Sequence, residues 1–111
     1  MIVDKKILKP IPNADDQTCF GCGGTNPSGL HMEFFTDDTR LYSFMKVPVA
    51  MAGWDKTVHG GILSTILDEI MGWSVIYLFK KLGVTKTITV NFLKPVQAET
   101  ELTIVGAVEQ Q

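Results

Sequence analysis

His59-Gly60-Gly61-Ile62-Leu63-Ser64-Thr65-Ile66-Leu67-Asp68-Glu69-Ile70-Met71-Gly72-Trp73-Ser74-Val75-Ile76-Tyr77-Leu78-Phe79 is the stretch on which the fold turns. Apolar residues recur at 62, 63, 66, 67, 70, 71, 73, 75, 76, 78 and 79, a helical spacing that covers most of the circumference. The polar residues inside it are few: Ser64, Thr65, Asp68, Glu69 and Ser74. Lys80, Lys81 and Gly83 suit a helix end, with cations at the negative pole of the dipole and glycine just past it. A helix this apolar needs cover on several sides, from a sheet that wraps it or from a partner. It is not a membrane span, because two adjacent carboxylates at a bilayer centre are very costly.

The flanks alternate instead. Leu30–Phe35 and Leu41–Val47 surround Asp37-Asp38-Thr39 and read as two strands joined by a hairpin turn. Thr85–Leu93 places Ile88, Val90 and Phe92 on one face and Thr87, Thr89 and Asn91 on the other, with Pro95 as the stop. Thr100–Val108 is a further strand. Residues 1–18 are polar and punctuated by Pro10 and Pro12, an extended arm, and the glycines of Cys19–Leu30 mark a loop. The order β-β-α-β-β gives an α+β fold: an antiparallel sheet around one long helix. The chain divides into 1–30, arm and glycine-rich loop, and 31–111, the folded domain.

The chain has 111 residues, enough for one core and no second. It is 45% hydrophobic and 20% charged, with a formal net charge of −2. That balance excludes a disordered chain and gives no basic footprint for nucleic acid. A domain of this size buries only about 65% of its unfolded surface. A mean hydropathy of +0.15 is high for it, which points to closure against another subunit. The first nine residues have no apolar run and are not a signal peptide. Cys19 and Cys22 make no disulfide framework, and the expected compartment is the cytoplasm.

Chemistry centres on His59-Gly60-Gly61 and Asp68. Glycines at a helix start leave the first backbone N–H groups open to close approach. Those groups lack intrahelical partners, and the helix dipole favours a developing oxyanion there. Asp68, inside an apolar helix, is a candidate for proton transfer. Eight residues separate Gly60 from Asp68, about 12 Å along the axis. One acyl carbon cannot touch both on one helix. Acting together, they require a second copy of the helix running antiparallel across a two-fold axis, with two sites per dimer. Gly72, one turn on, leaves room on that face. The same residues also fit a tight turn followed by a solvated acidic strip.

His59-Gly-Gly-Ile-Leu-Ser-Thr-Ile-Leu-Asp68 followed by Thr85-Lys-Thr-Ile-Thr-Val-Asn-Phe-Leu-Lys-Pro95 resembles hotdog-fold thioesterases of the PaaI-like and THEM type. The likeness runs from about Gly29 to the C-terminus, and Cys19-Phe-Gly-Cys-Gly with Asn26-Pro-Ser-Gly-Leu30 resembles the lead-in of many bacterial members. The resemblance implies a curved sheet wrapped round the helix, homodimers or dimers of dimers, and hydrolysis of an acyl-CoA thioester. It implies Gly60 as backbone donor to the thioester carbonyl and Asp68 as general base or nucleophile. It also implies Thr85 as the hydroxyl that places water or the acyl group, and His59 as a residue that fixes the loop. Gly61 and Glu69 join the substrate contacts, and some branches use a glutamate in place of the aspartate. Gly53 stands where the THEM-type pattern has asparagine, and the sequence stops about two strands short of the pattern. The other reading in the same fold is a non-catalytic module that binds acyl-CoA or an acyl carrier.

Lys86 and Lys94 are candidates for the CoA phosphates, since cations near strand ends suit such groups. Trp54, in the loop before the glycines, is the candidate pocket aromatic. No cofactor and no metal are expected: Cys19-x-x-Cys22 alone offers two of the four ligands zinc usually takes, and two copies pooling four thiolates is nothing the sequence demands. No membrane and no nucleic-acid partner is expected.

Overall fold

The computed structural model describes residues 4–14 and 16–109. Met1–Val3, Asp15, Gln110 and Gln111, which belong to the ends of the expected units and to the arm, lie outside the described residues. The elements are β1 (Lys9–Pro10), β2 (Phe35–Thr36), β3 (Leu41–Met45), α1 (Gly60–Phe79) and β4 (Leu102–Gly106), with short 3-10 turns at Lys5–Ile7, Val49–Met51 and Trp54–Lys56. The strands form one antiparallel sheet in the order β1-β2-β3-β4.

Side-chain chemistry sets the β2–β3 turn. Asp37 Oδ1 accepts from the amides of Thr39 and Arg40, at 2.9 and 2.8 Å. These amides, with the hydroxyl of Tyr42, hold the Asp37 carboxyl below its ordinary pKa. Asp38 takes the left-handed conformation (φ 71°) that short polar residues tolerate. Thr36, buried, donates from Oγ1 to Arg40 O and accepts from the Asp38 amide. β4 then returns across the helix and pairs with the whole of β3, from Leu41 opposite Gly106 to Met45 opposite Leu102.

The core lies between this sheet and one stripe of α1. Ile66, Ile70 and Ser74, four residues apart, are buried against Leu41, Phe34 and Ile104. Each large aliphatic side chain there contributes about 1.5–3 kcal/mol of transfer free energy. Ser74 donates from Oγ to Ile70 O at 2.6 Å, so the one polar group of the stripe is satisfied. Helix and β4 meet at Gly106, where an added Cβ would lie 2.7 Å from Ser74 Oγ and 3.0 Å from Ile70 Cγ1. Gly106→Ala is therefore expected to lower stability by about 1–3 kcal/mol through overpacking, read from the urea midpoint at constant slope. An unchanged midpoint would mean that helix and strand do not approach this closely.

Four expectations need correction. Thr85–Leu93 forms no strand: its alternation is present, but a strand needs a neighbouring backbone, and among the described residues none pairs with it. Leu30–Phe35 contributes only its end to the sheet: the alternation runs through Met32 and Phe34, but the Met32 amide bonds to Gly21 O in the loop and Glu33 O accepts from the Ser43 hydroxyl in place of a ladder bond. The arm is not merely extended, since β1 pairs with β2 at the sheet edge, where the missing amide of Pro10 costs no ladder bond. Finally, α1 ends before Gly83: Lys80 itself takes the left-handed cap (φ 57°), its amide bonding to Ile76 O and its ammonium lying over the Tyr77 ring. The helix is covered by the described sheet along one stripe only, and Met71 and Val75 on its other side remain exposed.

Candidate active site

The start of α1 is held by its own N-cap. His59 Nδ1 accepts from the Gly61 amide at 2.9 Å, so that nitrogen is unprotonated and the amide is engaged within the helix. The amide of Gly60, one residue earlier, has no acceptor among the described hydrogen bonds. It is the free donor at the positive end of a 20-residue helix. The ring of Phe92 lies over Gly60, close enough that an added Cβ would touch it at 3.5 Å. Removing the cap with His59→Ala is expected to cost about 1 kcal/mol, and His59→Asn to recover most of it, as read by thermal unfolding. Equal losses in both would show that the ring has another role.

Two turns further on, Asp68 is half-buried and Thr85 donates from Oγ1 to its Oδ1 at 2.5 Å. The bond reaches from the helix to the segment that follows it, and leaves Oδ2 free. Asp68 and Thr85 share a cavity of about 240 Å³ with Gly72, Val75 and Val84. The absence of a side chain at Gly72 opens this face: nothing lies within 4 Å of where its Cβ would be. The structure thus brings together two of the expected site residues, Asp68 and Thr85, and leaves Gly60 and His59 at the other end of the same helical segment.

A second cavity, about 310 Å³ and mostly apolar, runs between α1, residues 90–96 and β4, and is lined by Leu63, Ile66, Leu67, Phe92 and Ile104. Lys94 is at its rim, whereas Lys86 is exposed and lines none of the cavities described here. Trp54 is 90% exposed in the single chain and lines none of the cavities described here. Gly53 (ψ −121°) and the left-handed Asp55 and Lys56 turn the short 3-10 segment so that the indole faces solvent. Phe92, which carries a wall of the apolar cavity, was legible only as one position of an alternating run.

Glu69 reaches the loop. Its Oε1 accepts from the thiol of Cys19 at 2.8 Å, and Cys22 lies beside the pair. Burial pushes the Cys19 thiol up from its ordinary pKa, and the bond to Glu69 reinforces that. Glu69 also lines, with Asp68, Gly72 and Thr85, a cavity of about 520 Å³.

One long helix on an open antiparallel sheet, with a free amide at the helix start and a hydroxyl-held carboxylate two turns in, defines an α+β domain of the hotdog class. The family model for the thioesterase superfamily matches residues 55–111, just over half of the chain, and the chain belongs to that superfamily. Neither the curated proteins nor the solved structures yielded a match.

Proposed function

We propose that this chain hydrolyses acyl-CoA thioesters at a site that two copies complete together. The observation that carries this reading is the Asp68–Thr85 pair beside an open cavity, on the helix whose first amide is left unbonded. Asp68 of one subunit takes a proton from water as the water attacks the thioester carbonyl. The oxyanion forms at the Gly60 N–H of the other subunit, where the dipole of α1 adds to the hydrogen bond. The C–S bond then breaks, and the proton held by Asp68 passes to the leaving sulfur, giving a carboxylic acid and free CoA. Thr85 fixes one carboxylate oxygen so that the other meets the water.

The apolar cavity between Leu63 and Phe92 suits the acyl chain, and Lys94 at its rim suits the CoA phosphates. Pairing of two copies would also cover the exposed side of α1, and with it Met71 and Val75. The test is thiol release from a panel of acyl-CoA esters. Turnover that disappears in Asp68→Asn supports the reading. A wild-type rate equal to background, with tight binding of the ester, would replace it with the non-catalytic binding module, for which Gly53 in the asparagine position speaks. A strict monomer in solution would remove the composite site.

A further inference from the structure

Apart from Asp68, the molecule holds one cluster of chemically capable groups that hydrolysis does not use. The sulfurs of Cys19 and Cys22 and a carboxylate oxygen of Glu69 all lie within 4.8 Å of one another, the one such trio among the described residues. The two sulfurs come from a single turn and the carboxylate from α1, fifty residues further along the chain from Cys19.

The turn is shaped around that carboxylate. The Gly23 amide donates to Cys19 O at 2.8 Å, closing the turn, and a side chain at position 23 would overlap the Cys19 backbone. A side chain at position 21 would overlap the Glu69 carboxylate, so glycine there lets backbone and carboxylate come together with nothing between. Gln17 Nε2, anchored on Asn13 Oδ1 at 2.7 Å, lies 3.3 Å from Cys22 Sγ and donates to it, and Cys22 is buried.

Metal geometry fits this spacing. Zinc takes sulfur at about 2.3 Å and carboxylate oxygen at about 2.0–2.2 Å in a tetrahedron, which sets the ligand atoms roughly 3.5–3.8 Å apart. The trio falls within an ångström or so of that arrangement, a gap that side-chain rotation closes. Two sulfurs and one oxygen suit a borderline-soft ion and disfavour magnesium or calcium, which take oxygen alone.

We propose that Cys19, Cys22 and Glu69 bind one zinc ion per chain, with water in the fourth position, and that the ion fastens the Cys19–Leu30 loop to α1. This departs from the expectation of no metal, which rested on the cysteine pair alone. Glu69 supplies a third ligand that no cysteine-spacing motif contains. On binding, the two thiols lose their protons to solvent, so two protons leave for each zinc taken up. The site stands independently of hydrolysis, and its test needs no substrate.

The experiment uses the full chain, reduced and freed of metal with a chelator, titrated with Co²⁺ and then Zn²⁺. The expected results are an intense thiolate-to-cobalt absorption with the visible bands of a tetrahedral site, saturating at one ion per chain and displaced by Zn²⁺. Calorimetry in buffers of different ionisation enthalpy should give two protons per zinc, and bound zinc should protect the half-buried Cys19 from alkylation. Glu69→Gln should weaken zinc binding by more than the roughly tenfold that loss of an outer hydrogen-bonding partner costs. A cobalt spectrum without the thiolate band overturns the proposal. So does saturation at one ion per two chains with Glu69→Gln unaffected, which would mean four pooled thiolates. If the variants fail to fold, the native chain's cobalt spectrum and alkylation protection decide the matter alone.

Discussion

Asp68→Asn chains and Gly60→Pro chains, each inactive alone, are expected to recover thioester hydrolysis when unfolded and refolded together. Loss of the general base should lower turnover by about 10²–10⁴-fold. Gly60→Pro removes the amide left unbonded at the helix start, and loss of an oxyanion donor costs about 10²–10³-fold. The second substitution is clean for structural reasons. Proline is tolerated at the first helical position, where the amide has no intrahelical partner. It requires the preceding residue to be extended, and His59 already has φ −59° and ψ 136°. Helix content should therefore be unchanged by circular dichroism while the activity falls. In a mixed dimer the intact Gly60 of one chain faces the intact Asp68 of the other, so one of its two sites is whole. Random pairing makes half the dimers mixed, which sets the recovered rate at about a quarter of wild type. No recovery, with mixed dimers present by mass, would mean that donor and carboxylate do not come from different subunits.

Ile70→Ala is expected to be the most damaging core substitution, at about 2–5 kcal/mol. Ile70 is 1% exposed, its Cγ1 lies beside Gly106, and its carbonyl receives the Ser74 hydroxyl. The deleted atoms leave a cavity at the narrowest point of the helix–sheet contact. β4, tied along its length to β3, cannot move in to fill it. A domain of this size has only about 5–15 kcal/mol in hand, so a large part of its stability would go. Equilibrium urea unfolding measures the effect. A change below that of Gly106→Ala would place the structural centre elsewhere than the Ile66–Ile70–Ser74 stripe.

The sequence made the helix legible nearly to the residue, because 3.6-residue periodicity and a His-Gly-Gly start are local signals. The Asp37 turn is equally local, and the alternation overextends β3 at its end, and β4 at both ends, by two residues. Thr85–Leu93 shows the limit: alternation reports a suitable face, whereas a strand exists only where another backbone completes it. Asp68 stood out as a charge in an apolar helix, and its partner Thr85 came from the resemblance, since no spacing rule links positions 68 and 85. The direction of the Trp54 side chain depends on two left-handed residues after it, Asp55 and Lys56, which the sequence does not specify. For Glu69 the resemblance implies a substrate contact. Adjacent residues on a helix point about 100° apart, and that rotation sends Glu69 to the cysteines.

Asp38, at the hairpin turn, accepts from Lys9 at 2.9 Å and from the Tyr77 hydroxyl at 2.8 Å. One exposed carboxylate thus joins the arm strand, the β2–β3 turn and the last turn of α1. The bond from Lys9, then that from Tyr77, holds its pKa below the ordinary carboxylate value. What it contributes is therefore present above the ordinary carboxylate range and is lost as pH falls through the lowered value. Acid releases this knot while the Ile66–Ile70 core is still closed. The expected result on acidification is earlier solvent exchange at the Ile11 amide, bonded to Phe34 O beside the β1–β2 pair, than in the sheet interior, read by hydrogen exchange across the carboxylate range.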